Sequence, residues 1–440
     1  MKFKYDAVIV GGGPSGATAA VLLAKAGWSV AIVEKAPFPR RKVCGEFISE
    51  TTWPLLRELG VAEALQATAG PVVRRVGVFA GSTVITSPLT RSTPRADDGG
   101  RAVGREFLDT LLLQRAAAVG AEVLQPWALS GFVESGDQYT CRVIKKGGDD
   151  GCQPGAELHG ELHGQPHGQR HGQPHGERHR ELISRVIIGA HGSWETGVLP
   201  TQVSRQPRRA GDLFGFKAHF RDGALASDLM PLLAFPGGYG GMVHADCGRI
   251  SLSCCIRRDA LERCRKQWPQ HSAGAAVLAH IMASCKGVAD ALAPATVDGA
   301  WLSAGPLQTG IRSFGRGGIF AVGNAAAEAH PIVAEGISMA IQSAHLLCEQ
   351  LITSRVRQPS PAVLETIHAA YEAAWRRNFS SRLRVAALFA HLFMRPLGAR
   401  LAAITLKLVP GLLTRGARWS GKNQSLRSVR SQGFVGGLRS

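Results

Sequence analysis

Gly11-Gly12-Gly13-Pro14-Ser15-Gly16 is a G-x-G-x-x-G loop between an apolar run, residues 5–10 (YDAVIV), and a helical stretch, residues 14–26 (PSGATAAVLLAKA). A loop of this kind holds a pyrophosphate. Gly11 permits the tight turn, Gly13 lets the backbone approach the phosphates, and Gly16 lets helix and strand pack closely. Pro14 and Ser15 open the helix, where unpaired N–H groups and the positive dipole end face an anion. Glu34 stands eighteen residues beyond Gly16, at the end of the next apolar run, 28–33 (WSVAIV). A carboxylate there accepts ribose hydroxyls. Strand, helix, strand and acid in register predict a dinucleotide-binding unit with a parallel crossover.

Three more segments carry residues suited to chemistry: Arg41-Lys-Val-Cys44-Gly45-Glu46-Phe47, Gly104-Arg105-Glu-Phe-Leu-Asp109, and Gly323-Asn324-Ala-Ala-Ala-Glu-Ala-His330-Pro331. With the glycine loop and Glu34 they resemble the para-hydroxybenzoate-hydroxylase-like flavoprotein superfamily. Within it, the resemblance is strongest to the branch of geranylgeranyl reductases, flavin halogenases and flavin monooxygenases. It runs from residue 5 to about 350, with nothing contributed by 147–181 or 259–300. The resemblance implies FAD as cofactor, with NAD(P)H a candidate electron donor. It implies cofactor contacts from Gly11, Gly13, Pro14, Ser15, Gly16, Glu34, Lys35, Arg41, Cys44, Arg105, Gly323, Asn324, Glu335, Gly336 and Ile337. It sets Arg105 near the FAD phosphates or ribose, and the loop Pro331–Gly336 at the N1–C2=O edge of the isoalloxazine. A helix N-terminus there would stabilise negative charge on reduced flavin.

The same resemblance offers Cys44, with Glu46 as partner, as a proton donor beside the flavin, although a free cysteine also packs as a small apolar residue. His330 is a further acid–base candidate or a satisfied structural histidine. Phe47 and Tyr239, the latter within Pro236-Gly-Gly-Tyr-Gly240, are expected at the substrate pocket, against a plain turn for Tyr239. Two residues depart from the family pattern. His191 replaces the acid of Gly-Ala-Asp-Gly, which puts reduction by bound NAD(P)H in doubt, and Ala334 stands where glycine is common. Flavin halogenases carry W-x-W-x-I-P, and no two of the eight tryptophans here lie two apart. Halogenation is therefore not expected.

The elements that must position these residues form an α/β fold: a Rossmann-like FAD-binding domain interleaved with an antiparallel-sheet substrate domain, then a helical C-terminal region. The FAD-binding part is read at 1–75, 101–146, 182–200 and 306–355, and the substrate domain at 76–100 and 201–305. Within these, 105–118 and 336–351 have helical spacing, and 120–124, 131–145, 182–188 and 318–322 read as strands. Alternating segments in 213–256 predict the substrate-domain sheet. His159, His163, His167, His171, His175 and His179 recur every four residues. With glycine and proline between them they have no fixed ligand geometry, so 147–181 reads as a disordered insertion and no metal site is assigned.

Of 440 residues, 45% are hydrophobic and 19% charged, a globular composition. The net charge of +18 is concentrated at one end, since residues 376–440 contain thirteen Lys and Arg and no Asp or Glu. In this basic region, 356–440, residues Leu397, Leu401, Ile404 and Leu408 share one helical face beside Arg400 and Lys407. That pattern fits peripheral contact with a membrane, or a helical cap with a solvated basic edge. No base-reading motif accompanies it, so nucleic acid is not expected as a partner. Nine cysteines without a C-x-x-C pair suit a reducing compartment. Together with the absence of a signal-like start or a long apolar span, this predicts a cytoplasmic protein, with the inner membrane face as a peripheral site.

Three functions remain open: hydroxylation of an apolar, aromatic or polyketide-like substrate, saturation of an alkene in a prenyl or other chain, or a flavin-bound scaffold without turnover. Hydroxylation is preferred because the wider superfamily holds more monooxygenases.

Overall fold

The computed structural model describes residues 2–89, 99–146, 178–193, 195–202, 207–409 and 411–417. The strands Ala7–Val10, Val30–Val33 and Val186–Gly189 are buried throughout and pair in parallel. Ile319–Ala321 and Glu122–Leu124 extend this sheet in parallel, and Gly315–Arg316 closes one edge antiparallel. Successive strand residues point to opposite faces, and both faces are used. Ala7, Ile9, Val30 and Ile32 pack on the helical layer formed by Pro14–Lys25, Arg105–Ala118 and Gly336–Thr353. Val8, Val10, Ala31 and Val33 pack on Tyr139, Cys141, Val143 and Leu182 of a four-stranded sheet. A strand covered on both faces must be apolar at every position, which is why these runs lack alternation.

The second large sheet has seven strands, in the order Thr296–Leu307, Leu213–Arg221, Ile250–Arg257, Gly238–His244, Leu229–Phe235, Arg75–Ala80 and Thr83–Pro88. Only Leu229–Phe235 and Arg75–Ala80 pair in parallel. Three helices, Arg258–Gln267, Ala273–Ser284 and Lys286–Leu292, cover one face through Phe216, Ala218, Phe220, Leu252 and Cys254. The opposite face carries Lys217, His219, Ser251, Ser253, Tyr239 and Cys255. The C-terminal helices reach that face at Tyr239 and Cys255, through Ala390, Phe393 and Ala399.

The α/β architecture, its antiparallel companion sheet and the helical C-terminal region match the fold expected from the sequence. Local readings differ in three places. Residues 131–145 are a hairpin, Trp127–Ser135 with Gln138–Lys145, because Gly136 at φ 61° turns the chain. The run 182–188 is two strands in different sheets, His179–Ser184 and Val186–Gly189, which divide at Arg185. Residues 179–181 thus belong to a strand rather than to the histidine-rich insertion, and 147–177 lie outside the described residues. The segment 259–300, unread in the sequence, supplies most of the three-helix layer.

Candidate active site

The glycine loop divides its labour as stereochemistry requires. Gly11, at φ 111°, and Gly16 are packing positions: a Cβ on either would overlap a backbone carbonyl, of Ala190 for Gly11 and of Gly11 for Gly16. Gly13 is different. Its backbone is extended, and the nearest atom to a Cβ there is Arg105 Nη2 at 3.7 Å, so the position faces open space. Gly13 also caps the Pro14–Lys25 helix without a side-chain hydrogen bond, which leaves first-turn N–H groups for an anion.

Glu34 is 3% exposed. Its Oε2 accepts from Gly12 N at 2.8 Å and its Oε1 from Ala36 N at 2.8 Å, while the Arg40 guanidinium reaches both oxygens at 3.2 and 3.3 Å. Arg105 is buried and donates twice to Asp109, one turn later, at 2.7 Å each. That clamp fixes the guanidinium over Gly13. Burial alone would lower the Arg105 pKa, but the Asp109 charge outweighs it and the group stays protonated. Lys42, which the sequence reading passed over, lies near Gly192. Burial, then the neighbouring charges of Arg105 and Arg40, lower its pKa to about 8. The signal was present in the run Arg40-Arg41-Lys42, three cations before a flavin motif.

The remaining expected contact residues have the following neighbours. Lys35 turns to Glu195 at 2.9 Å, and Arg41 donates to the carbonyl of Asp298 at 3.0 Å on the last strand of the seven-stranded sheet. A Cβ on Gly323 would meet the Ser15 side chain, so these two residues join the third motif to the glycine loop. Asn324 donates to Glu328 at 3.4 Å, and its carbonyl accepts from Arg312. Ala334 adopts the left-handed conformation, φ 54° and ψ 35°, that glycine would take without strain. Glu335 is fully buried at the start of Gly336–Thr353, Ile337 is buried behind it, and a Cβ on Gly336 would meet nothing within 4 Å. Phe47 packs with Val73, Val243 and Ala334, between the seven-stranded sheet and this loop.

Glu46 does not serve Cys44 as a proton partner. The Cys44 thiol accepts from Glu46 N at 3.4 Å, but the carboxylate points away, to Lys217 and to His219 Nε2 at 2.8 Å. Burial raises its pKa, and the His219 hydrogen bond and the Lys217 charge overcome this and bring it down to about 2. It is therefore an ionised anchor. Lys217 and His219 were legible as polar residues alternating with Phe216, Ala218 and Phe220.

His330 lies between two hydroxyls, Tyr239 Oη at 3.2 Å from Nδ1 and Thr309 Oγ1 at 3.1 Å from Nε2, with the His391 ring 5.9 Å away. Burial, then the His391 charge, lower its pKa to about 4. His191 contacts Thr201 Oγ1 at 3.0 Å and the Gly192 carbonyl at 2.9 Å, and burial holds it near 4 as well. Both imidazoles are neutral at pH 7. Each folded pKa lies below the ordinary 6.5, so the stabilisation is complete above pH 6.5 and lost as the pH falls through 4. The expected loss is on the order of 3 kcal/mol per histidine. Denaturation midpoints measured against pH should show this slope, and His191→Gln should remove about half of it.

Residues 4–153 match the FAD binding domain family. That match marks the N-terminal part of the chain as an FAD-binding domain. Over 62 residues the flavoprotein is 50% identical to the 1H-pyrrole-2-carbonyl-[peptidyl-carrier protein] chlorinase of Pseudomonas fluorescens, 14% of each chain. Over 124 residues it is 33% identical to the menaquinone reductase of Mycolicibacterium smegmatis, 28% of this chain and 29% of that one. These alignments span less than a third of the curated relatives. The structure of the myxobacterial chondrochloren halogenase superposes with a TM-score of 0.71 and 20% identity, covering 93% of this chain and 90% of the other. Halogenases are thus among its relatives, a class the tryptophan spacing had set aside, and at this identity the structural likeness carries the fold.

FAD fits the residues present. Gly13 and Gly336 leave open space where backbone would approach a ligand, and the Gly13 cap has no side chain competing for the first-turn N–H groups. Gly13–Gly16 and Arg105 would hold the pyrophosphate, Glu34 a ribose, and the Gly336 helix start the pyrimidine edge of the ring.

Proposed function

We propose that this flavoprotein saturates a carbon–carbon double bond in an apolar, prenyl- or polyketide-like chain. When bound, FAD supplies the two electrons as a hydride equivalent, drawn from a reductant such as NAD(P)H. The second alkene carbon must then receive a proton.

The observation that supports the reading is the chain Thr309–His330–Tyr239, next to Pro331 at the start of the flavin loop. Tyr239 is buried, and burial followed by the neighbouring Cys255 raises its pKa well above the ordinary value, so Oη keeps its proton. It holds His330 in place. Thr309 is partly exposed and forms the open end of the chain. A neutral imidazole between two hydroxyls can pass a proton without carrying a stable charge, which suits the apolar surroundings that Val78, Ala80 and Ala234 give Tyr239. The menaquinone reductase among the relatives is a reductase named for an apolar substrate.

The test is anaerobic turnover of the FAD-loaded protein with a reductant and a panel of prenyl and polyketide chains, read by mass for the gain of two hydrogens. His330→Gln is expected to slow saturation by roughly 100-fold, and Tyr239→Phe by less, with flavin content unchanged. Product oxygen formed only in air would replace this reading with hydroxylation. Bound flavin with no substrate-dependent loss of reductant would replace it with the scaffold.

A further inference from the structure

The helix Pro396–Leu408 meets the long helix Pro361–Phe393 at a bend of 106°. Its inner side is packed: Ala399, Ala402 and Leu406 join Phe393 and Met394 against Val78, Ala80 and Ala234 of the seven-stranded sheet. Its outer side is apolar as well, and bare. Leu397 and Leu408 are each 77% exposed, Leu401 65% and Ile404 49%, and Leu388 on the preceding helix adds a further residue at 67%. Positions 397, 401, 404 and 408 fall on one helical stripe. Exposed Arg395, Arg400 and Lys407 flank it, and no acidic residue occurs from 376 to the end of the chain.

We propose that this face lies on an anionic lipid surface. Leucine and isoleucine would enter the acyl boundary, while Arg395, Arg400 and Lys407 extend their stems along it and reach the headgroup phosphates. Charge complementarity favours lipid over a protein partner, because the surround is of one sign without the mixed pairs that set register with a protein. The stripe itself is Leu and Ile, without the Trp and Tyr anchors that are enriched at the centre of protein interfaces. The helix lies flat rather than crossing. No single described helix is long and apolar enough to span, and the long helix buries Tyr371, Trp375 and Phe379 in the core of the FAD-binding domain. The inner side of the same helix shares a cluster with Tyr239 and Ile332. Docking would therefore set the substrate side of the protein against the bilayer, a consequence that rests on the proposed alkene substrate, whereas the docking itself does not.

The experiment is cosedimentation of the full-length FAD-loaded protein with phosphatidylcholine vesicles, with and without phosphatidylglycerol. Binding is expected only with the anionic lipid and should weaken with salt. Leu401→Glu/Leu408→Glu should cut it by at least about tenfold, and Arg400→Gln/Lys407→Gln by about fivefold per charge removed. All four side chains are exposed, so flavin content, melting temperature and turnover of a detergent-dispersed substrate should stay at the wild-type level. Wild-type protein that remains in the supernatant with anionic vesicles, or that pellets as well after Leu401→Glu/Leu408→Glu, would overturn the proposal. So would lipid-independent self-association abolished by the same pair, which would make the face a contact between copies of the chain.

Discussion

Gly13→Asp is expected to weaken FAD binding by roughly 100- to 1,000-fold while leaving the protein folded, an effect of about 3–4 kcal/mol. The backbone at Gly13, φ −72° and ψ −174°, is one that any L-residue adopts, and a Cβ there meets only the Arg105 guanidinium, at 3.7 Å. The aspartate therefore fits. Its carboxylate would engage the N–H groups and the cation that otherwise receive the pyrophosphate, and would repel the phosphates besides. Flavin absorbance per protein after gel filtration reads the loss, and the melting temperature of the flavin-free protein should match wild type. Full flavin content in Gly13→Asp would mean that this loop does not hold the phosphates. Gly16→Asp would not make the same distinction, because a side chain there collides with the Gly11 carbonyl and damages the fold itself.

Glu46→Gln is expected to cost about 3–5 kcal/mol of stability, the usual consequence of leaving a buried cation without its counter-ion. Glu46, Lys217 and His219 are 0, 1 and 2% exposed, so water cannot replace the lost carboxylate. Glu46 also sits at φ 62°, which a residue with a Cβ holds only when its contacts outweigh the local cost. The double variant Glu46→Gln/Lys217→Met should recover much of the loss, because both charges then leave the interior together. The folded pKa of Glu46 is depressed from 4.5 to about 2, so its contribution is present above pH 4.5 and lost as the pH falls through 2. Glu46→Gln should flatten the acid limb in that window and leave the slope between pH 6.5 and 4, assigned to His191 and His330, as it is. An additive double-variant cycle in denaturant would show that the two groups are not coupled, contrary to the geometry.

Much of the FAD cradle was legible because its parts are neighbours in the chain. Strand, turn and helix lie within residues 7–25, and Glu34 follows one strand later, so short-range spacing determines where each must go. The helix Arg105–Ala118 was legible to the residue for the same reason. What short-range spacing does not show is which protein partner each side chain takes. Arg41 and Lys35 are of the right type and in the right segment, yet Asp298 and Glu195 claim them. Glu46 follows Cys44 by two residues and still turns its carboxylate elsewhere. Strand boundaries failed at Gly136, where one glycine turns the chain back within a sheet, and at Arg185, where one residue moves it from one sheet to another, because an apolar run carries no label for its turn or for the sheet it joins.

By itself the sequence determined the dinucleotide unit, the α/β class, the basic apolar tail and the identity of the cofactor, all of which are set by local spacing and composition. Tertiary structure alone decided that Lys217 and His219 of the seven-stranded sheet hold the Glu46 carboxylate, that Tyr239 and Thr309 bracket His330, and that one side of Pro396–Leu408 is covered while the other is bare. Each depends on which sheet face meets which element. Strand alternation says that Lys217 and His219 share a side, but only the packing of the seven-stranded sheet against the segment that carries Glu46 says what lies opposite.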